Sequence, residues 1–207
     1  MAEVAARDPA LVAQIMKTAN SGFFALPRTV GDLSEAIGLI GMEAILGLVL
    51  AAHLFAGLPP PGLRLEVLWQ HVIQVSKLAV DIARIEGGDR RVTGLVSVAG
   101  LLHDIGLMIL LENEAARYQP MWHEAGGDES ILAEMERETF GVSHGELGAI
   151  ILMLWGLPDE VVDAVGNSHV MTDISTGPAL KLSLASKAVI AAEWLLDGRA
   201  NKRFEDL

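Results

Sequence analysis

The dipeptide His103-Asp104, set in the apolar run LLHDIG at 101–106, joins two side chains able to grip a divalent ion. Imidazole nitrogen and carboxylate oxygen together suit Mn, Fe, Zn or Mg, not an ion that demands thiolates. Neighbours on a helix stand ~100° apart, so the pair can share one ion if other helices bring further ligands. An unpartnered Asp104 in so apolar a segment would be expensive to bury, and it needs a metal, a cation or several N–H donors. Three more histidines qualify as partners. His71 lies on the stripe Leu68, Val72, Val75, Ala79, Ile82 and therefore faces inward. His144 opens one helix and His169 closes the next. His71, His103, Asp104, His144 and His169 are thus a candidate metal set carried on four helices. From spacing alone the commoner arrangement is the plainer one, core histidines hydrogen-bonded to helix ends and carboxylates. His53 and His123 have no partner of the right type nearby in the sequence.

The elements that must position these residues read as helices throughout. Asp8-Pro9 is an N-cap followed by proline at the first helical position, opening DPALVAQIMKTAN. Asn20 and Gly22 close that helix as a C-terminal cap and turn. Asp32 opens a second, with a bend at Gly41, and GLPPPG at 57–62 ends it, because consecutive prolines cannot continue a helix. A long helix is expected from Leu65 to Ile85, stopped by Gly87-Gly88, and another from Arg91 through Leu111. The polar stretch that follows carries breaks at Pro120 and at Gly126-Gly127. Ser143 and Glu146 form a capping box for a helix running to Trp155. Pro158 opens one to Ser168, with Asp159 and Glu160 complementing its dipole. Pro178 opens a last helix to Asp197-Gly198. Trp69 and Trp155 are expected to anchor packing, and Lys77 to be solvated. No strand alternation or fixed-period repeat is present. The expected class is all-α, with an N-terminal helical subdomain at 1–62 sharing an interface with a helical bundle at 63–207.

Composition narrows the chemistry. The 207 residues are 51 % hydrophobic and 5 % aromatic, so the core must be aliphatic. Fifteen Lys+Arg against 27 Asp+Glu give a net charge of −12, which argues against a nucleic-acid partner. With no cysteine there is no disulfide, thiolate–zinc or thiol chemistry. Glu3 and Arg7 interrupt any signal peptide, and a cytoplasmic location is expected. Mean hydropathy is high, +0.39. Glu43 and His53 within Ile37–Ala56, and His103 and Asp104 within Leu95–Leu111, nevertheless argue for buried helices over membrane insertion.

The order DPALVAQIMKTANSGFF, AIGLIG, LWQH, AGLLHDIG and SHGELGAIILMLWGLP, with a later histidine, resembles the HDOD domain (HD-related output domain). This bacterial signalling family is a branch of the HD phosphohydrolase superfamily. The resemblance implies a helical subdomain preceding an HD-like helical bundle, as the break at 57–62 suggests. It matches His71 to the first metal ligand of the superfamily and His103 with Asp104 to its signature pair. It matches His144 and His169 to positions that hold further ions in HD-type cyclic-dinucleotide phosphodiesterases. Two departures stand out. Where the closing Asp ligand is expected on the last helix, only Ser183 and Ser186 are near, and His169-Val170 replaces a paired His-His with no GYP following.

A regulatory output domain without catalysis, working through protein partners in a signalling pathway, is the expected function. The chain is expected to be one such unit of a longer protein. The alternatives are a metal-dependent phosphohydrolase carried by the five residues above, and a nucleotide-binding module using Arg84, Arg90 and Arg91, the one compact basic cluster near the site in sequence. The metal (Mn, Fe, Zn or Mg), the partner and the oligomeric state are not specified by these motifs.

Overall fold

The computed structural model of the chain describes residues 65–169 and 182–197. The expected N-terminal subdomain at 1–62, the side chain of Trp69 and the chain around Pro178 lie outside the described residues. Within them the chain is all-α: α1 (Leu65–Ile85), α2 (Arg90–Leu102), α3 (Ile105–Ala125), α4 (Glu129–Phe140), α5 (His144–Leu154), α6 (Asp159–Gly166) and α7 (Leu184–Asp197).

Local signals set most of the boundaries. Asp89 caps α2, its side chain accepting a hydrogen bond from Val92 N at 2.8 Å. Asp128 caps α4 by accepting from Ser130 N and Ile131 N. Ser143 and Glu146 complete the expected capping box at α5. Two expectations fail. The helix from Arg91 to Leu111 is two helices, parted at His103 and Asp104, where Asp104 leaves helical geometry (φ −96°, ψ 14°). Pro120 does not end α3, which instead kinks at Glu114 (φ −129°, ψ 28°) and continues to Ala125. The acidic helix α4, absent from the sequence reading, occupies the region after Gly126-Gly127.

The expected stripe on α1 is buried as predicted: Leu68, Val72, Val75 and Ala79 are each at most 3 % exposed. This face meets α2 and α7, and α6 closes the group against both. Val96, Ala99, Leu102, Val161, Ala188 and Val189 complete that core. Its many alanines let helix axes approach closely. At Gly100 an added Cβ would lie 2.5 Å from Ser76 Cα, so glycine there lets α1 and α2 touch backbone to backbone. A second cluster, with Leu107, Leu110, Tyr118, Met121 and Leu132, joins α3 to α4. Gly106 performs the same service between α3 and α5, since a Cβ there would fall 1.9 Å from the His144 carbonyl oxygen.

The run Arg90–Ala125 contains a window long and apolar enough to cross a membrane, but 78 % of it is buried inside the bundle. Trp155, expected to anchor packing, is 47 % exposed at the end of α5. Lys77 is exposed, as expected.

Candidate metal centre

Helices α1, α2, α5 and α7 and two turns converge on the chemistry. His71 projects from the inward face of α1, His103 stands at the end of α2, and Asp104 follows in the turn to α3. The break between α2 and α3 therefore aims both members of the dipeptide, and the ~100° offset expected of a continuous helix does not apply. His71 Nε2, His103 Nε2 and one oxygen of Glu193 form a tight triangle. Glu193 Oε1 is 2.9 Å from His71 Nε2 and 2.8 Å from His103 Nε2, and the two nitrogens are 3.2 Å apart. Asp104 adds Oδ1 at 3.3 Å from His103 Nε2 and Oδ2 at 3.8 Å from His71 Nε2. All four side chains are buried.

The other two predicted residues arrive on the far side of Asp104. His169, in the turn after α6, places Nε2 at 3.1 Å from Asp104 Oδ1, the same oxygen that faces His103. His144, at the start of α5, packs its ring edge-on against that of His169, with centroids 4.5 Å apart. Asp104, His144 and His169 thus make a second group able to hold an ion, and Asp104 belongs to both. Glu129 of α4 approaches from behind, 3.8 Å from His144 Nε2 and from His169 Nδ1.

The donor set fits a divalent metal on three observations. First, donors bound ~2.1 Å from one ion at tetrahedral or octahedral angles are themselves ~3.0–3.4 Å apart, close to the spacings found here. Second, His103 Nδ1 lies 2.8 Å from the Gly100 carbonyl oxygen, which only accepts, so Nδ1 carries hydrogen. His103 Nε2 then meets the Glu193 carboxylate, and either a proton or a metal ion must lie between them. Burial opposes a charge on His103, but the Asp104 and Glu193 carboxylates outweigh it and hold its pKa well above the usual imidazole value. For His169 burial likewise opposes, and Glu129 and Asp104 lift the pKa to about 9. Third, His144 Nε2 is buried and makes no hydrogen bond among the described residues. A buried polar atom left so is costly unless something else binds it.

The five predicted residues are therefore brought together, with one correction. A carboxylate on α7 does meet the histidines. It is Glu193, not an aspartate, and it sits two turns further along α7 than the place where only serines were found. Ser183 and Ser186 instead hydrogen-bond to each other at 3.0 Å where α7 begins. The signal was in the sequence: Glu193 is the lone charge within VIAAEWLL. A carboxylate on so apolar a helix calls for a partner as Asp104 does. Glu129 was missed because it falls in the polar stretch after Leu111, and Glu136 because no element was expected between that stretch and Ser143. Arg91, of the expected basic cluster, donates to Glu160 at 2.8 Å.

An all-helical bundle with a buried His/Asp/Glu centre defines the class. The chain belongs to the HDOD domain family, whose model matches residues 1–171. A protein of Treponema pallidum, named only as uncharacterized, is 25 % identical over 174 residues, covering 79 % of this chain and 32 % of its own length. Among solved structures, an HDOD domain protein of unknown function from Geobacter sulfurreducens shares 25 % identity with a TM-score of 0.72, over 96 % of this chain and 65 % of that one. A Shewanella amazonensis protein provisionally named a phosphohydrolase shares 24 % (TM-score 0.73, over 96 % and 69 %). A Marinobacter aquaeolei protein provisionally named for signal transduction shares 23 % (TM-score 0.71, over 98 % and 45 %). The last two likenesses concern the fold. The chain spans about a third of the curated relative, and slightly under two thirds of the Geobacter structure.

Proposed function

We propose that this chain is a cytoplasmic output unit of a bacterial signalling protein, built around a divalent metal centre and acting through contacts with other proteins. Burial of the donors carries this reading: His71, His103, Asp104 and Glu193 are between 0 and 8 % exposed. A site filled by protein donors alone holds structure, whereas a catalytic one keeps a position open. His71, His103, Asp104 and Glu193 would hold one ion, and Asp104, His144 and His169 a second. With a position left open, a divalent ion there would supply Lewis acidity and a bound water of lowered pKa. The residues themselves tie α1, α2, α5 and α7 to the α2–α3 turn, so occupancy would set how those helices pack. The net charge of −12 supports a protein partner over nucleic acid.

A metal-dependent phosphohydrolase is the second reading, favoured by the sharing of Asp104 between the two groups. Paired ions are the arrangement that activates water for attack on phosphorus. One experiment separates the two. The chain is purified, loaded with Mn, Fe, Zn or Mg, and assayed on phosphomonoesters, phosphodiesters and cyclic dinucleotides. We expect stoichiometric metal, turnover no faster than that of His103→Ala, and stabilisation of ~2.7 kcal/mol by metal at a hundred times its Kd. Turnover abolished by His103→Ala would establish the second reading instead. A chain that binds no ion would overturn both.

A further inference from the structure

Glu136 is an acidic residue at 0 % exposure, on a helix whose other acids mostly face water. It lies outside the two ligand groups, yet three donors converge on its carboxylate. The Tyr118 hydroxyl donates to Oε1, His144 N donates to Oε2 at 2.7 Å, and His144 Nδ1 lies 2.7 Å from Oε2 and 2.8 Å from Oε1. Tyr118 is itself wholly buried on α3, between Trp122 and Phe140. The chain Tyr118–Glu136–His144 thus crosses three helices and ends on the ring whose Nε2 makes no hydrogen bond among the described residues, with Glu129 Oε2 3.8 Å away.

We infer that Glu136, held in place by Tyr118, is a positioning residue that keeps His144 in its Nδ1–H form, so that Nε2 offers a lone pair to the Asp104–His169 side of the centre. The argument is electrostatic. A carboxylate accepts only, so an Nδ1 lone pair at 2.7 Å would face oxygen lone pairs and be repelled. Hydrogen on Nδ1 removes that repulsion and leaves Nε2 as the donor atom. The backbone bond from His144 N fixes Glu136 to the same residue whose ring it orients, so ring and carboxylate are registered together. Carboxylates behind ligand histidines orient the ring and raise its basicity in this way. Tyr118 keeps its proton, because burial and the adjacent Glu136 carboxylate push its pKa far up, and so it remains a donor to Glu136.

This inference rests on the metal reading above, and its test has one arm that does not. In the metal-free chain with 15N-labelled histidine, long-range 1H–15N spectra report which ring nitrogen of His144 is protonated. Wild type is expected to show Nδ1–H. Glu136→Gln, whose amide can donate to Nδ1, is expected to shift His144 to Nε2–H. An Nε2–H tautomer in wild type, or an unchanged tautomer in Glu136→Gln, overturns the inference. The second arm is metal content per chain after equilibration with Mn or Zn. Wild type is expected to hold two ions and Glu136→Gln one, or two with the second bound ~10–100-fold more weakly. Tyr118→Phe, which keeps the ring and its packing, is expected to weaken the second ion less than Glu136→Gln does. Two ions at wild-type affinity in Glu136→Gln overturn the role. No ion in wild type would overturn the preceding proposal, and the tautomer then decides the present one. Helical circular dichroism checks that each variant folds.

Discussion

Glu193 is where a single carboxylate decides what the centre is. With it, His71 Nε2 and His103 Nε2 share an acceptor less than 3 Å from each. Without it, two buried imidazoles would face each other at 3.2 Å with only Asp104 to compensate them. Glu193→Gln keeps the volume and removes the charge. We expect it to weaken the ion at His71 and His103 by at least the ~10–100-fold that loss of a supporting partner costs. Calorimetric titration with Mn or Zn reads this directly, and unchanged affinity would show that Glu193 only satisfies the histidines. Glu193 and Asp104 were equally visible as lone charges in apolar helices. Which of them met His71 was not visible, because α1 and α7 meet only in the fold.

At the scale of the helix, close approach does the positioning. α5 can bring His144 to Asp104 only because α3 presents Gly106 where it crosses. The Cβ of an alanine would sit 1.9 Å from the His144 carbonyl oxygen and 2.8 Å from Gly148 N, both backbone atoms that cannot rotate away. Gly106→Ala should therefore push α3 and α5 apart and cost the upper end of the ~1–3 kcal/mol typical of overpacking, or more. Urea unfolding of the metal-free chain measures the cost. A loss under ~0.5 kcal/mol, the scale of surface substitutions, would contradict the packing described here. The helix start at Ser143 was legible from its capping box, whereas α4, capped by Asp128, was not expected. The α2–α3 break was not legible, because no proline or turn glycine marks it. Its Asp104 leaves helical geometry in the setting of a side chain engaged with residues far along the chain. Pro120 misled in the opposite sense, since α3 runs through it to Ala125.

At the scale of the whole molecule, outside the centre, the ion pairs that arginines make among the described residues lie at the surface. The Arg91–Glu160 pair links α2 to α6 at 2.8 Å in the open. The hydrogen bond from Arg91 lowers the Glu160 pKa below its ordinary 4.5. A carboxyl whose pKa is lowered on folding adds stability above its unfolded pKa, and loses it as pH falls through the folded one. Wild type should therefore melt slightly above Glu160→Gln at pH 7, and the two should converge by about pH 3. Convergence on raising the pH instead would mean that the pair does not act as described. The effect is small because the pair is exposed and screened.

The sequence by itself determined the helical class and most helix starts, since these depend on periodicity, capping and residue type within a few positions of each other. It singled out five residues of the centre by type and resemblance, not their contacts. Tertiary structure alone decided that Asp104 serves both groups, that Glu193 closes the first and that Glu136 stands behind His144. Those facts depend on distances between residues up to 122 positions apart. Such distances are set by how helix faces interlock, and no local pattern encodes them.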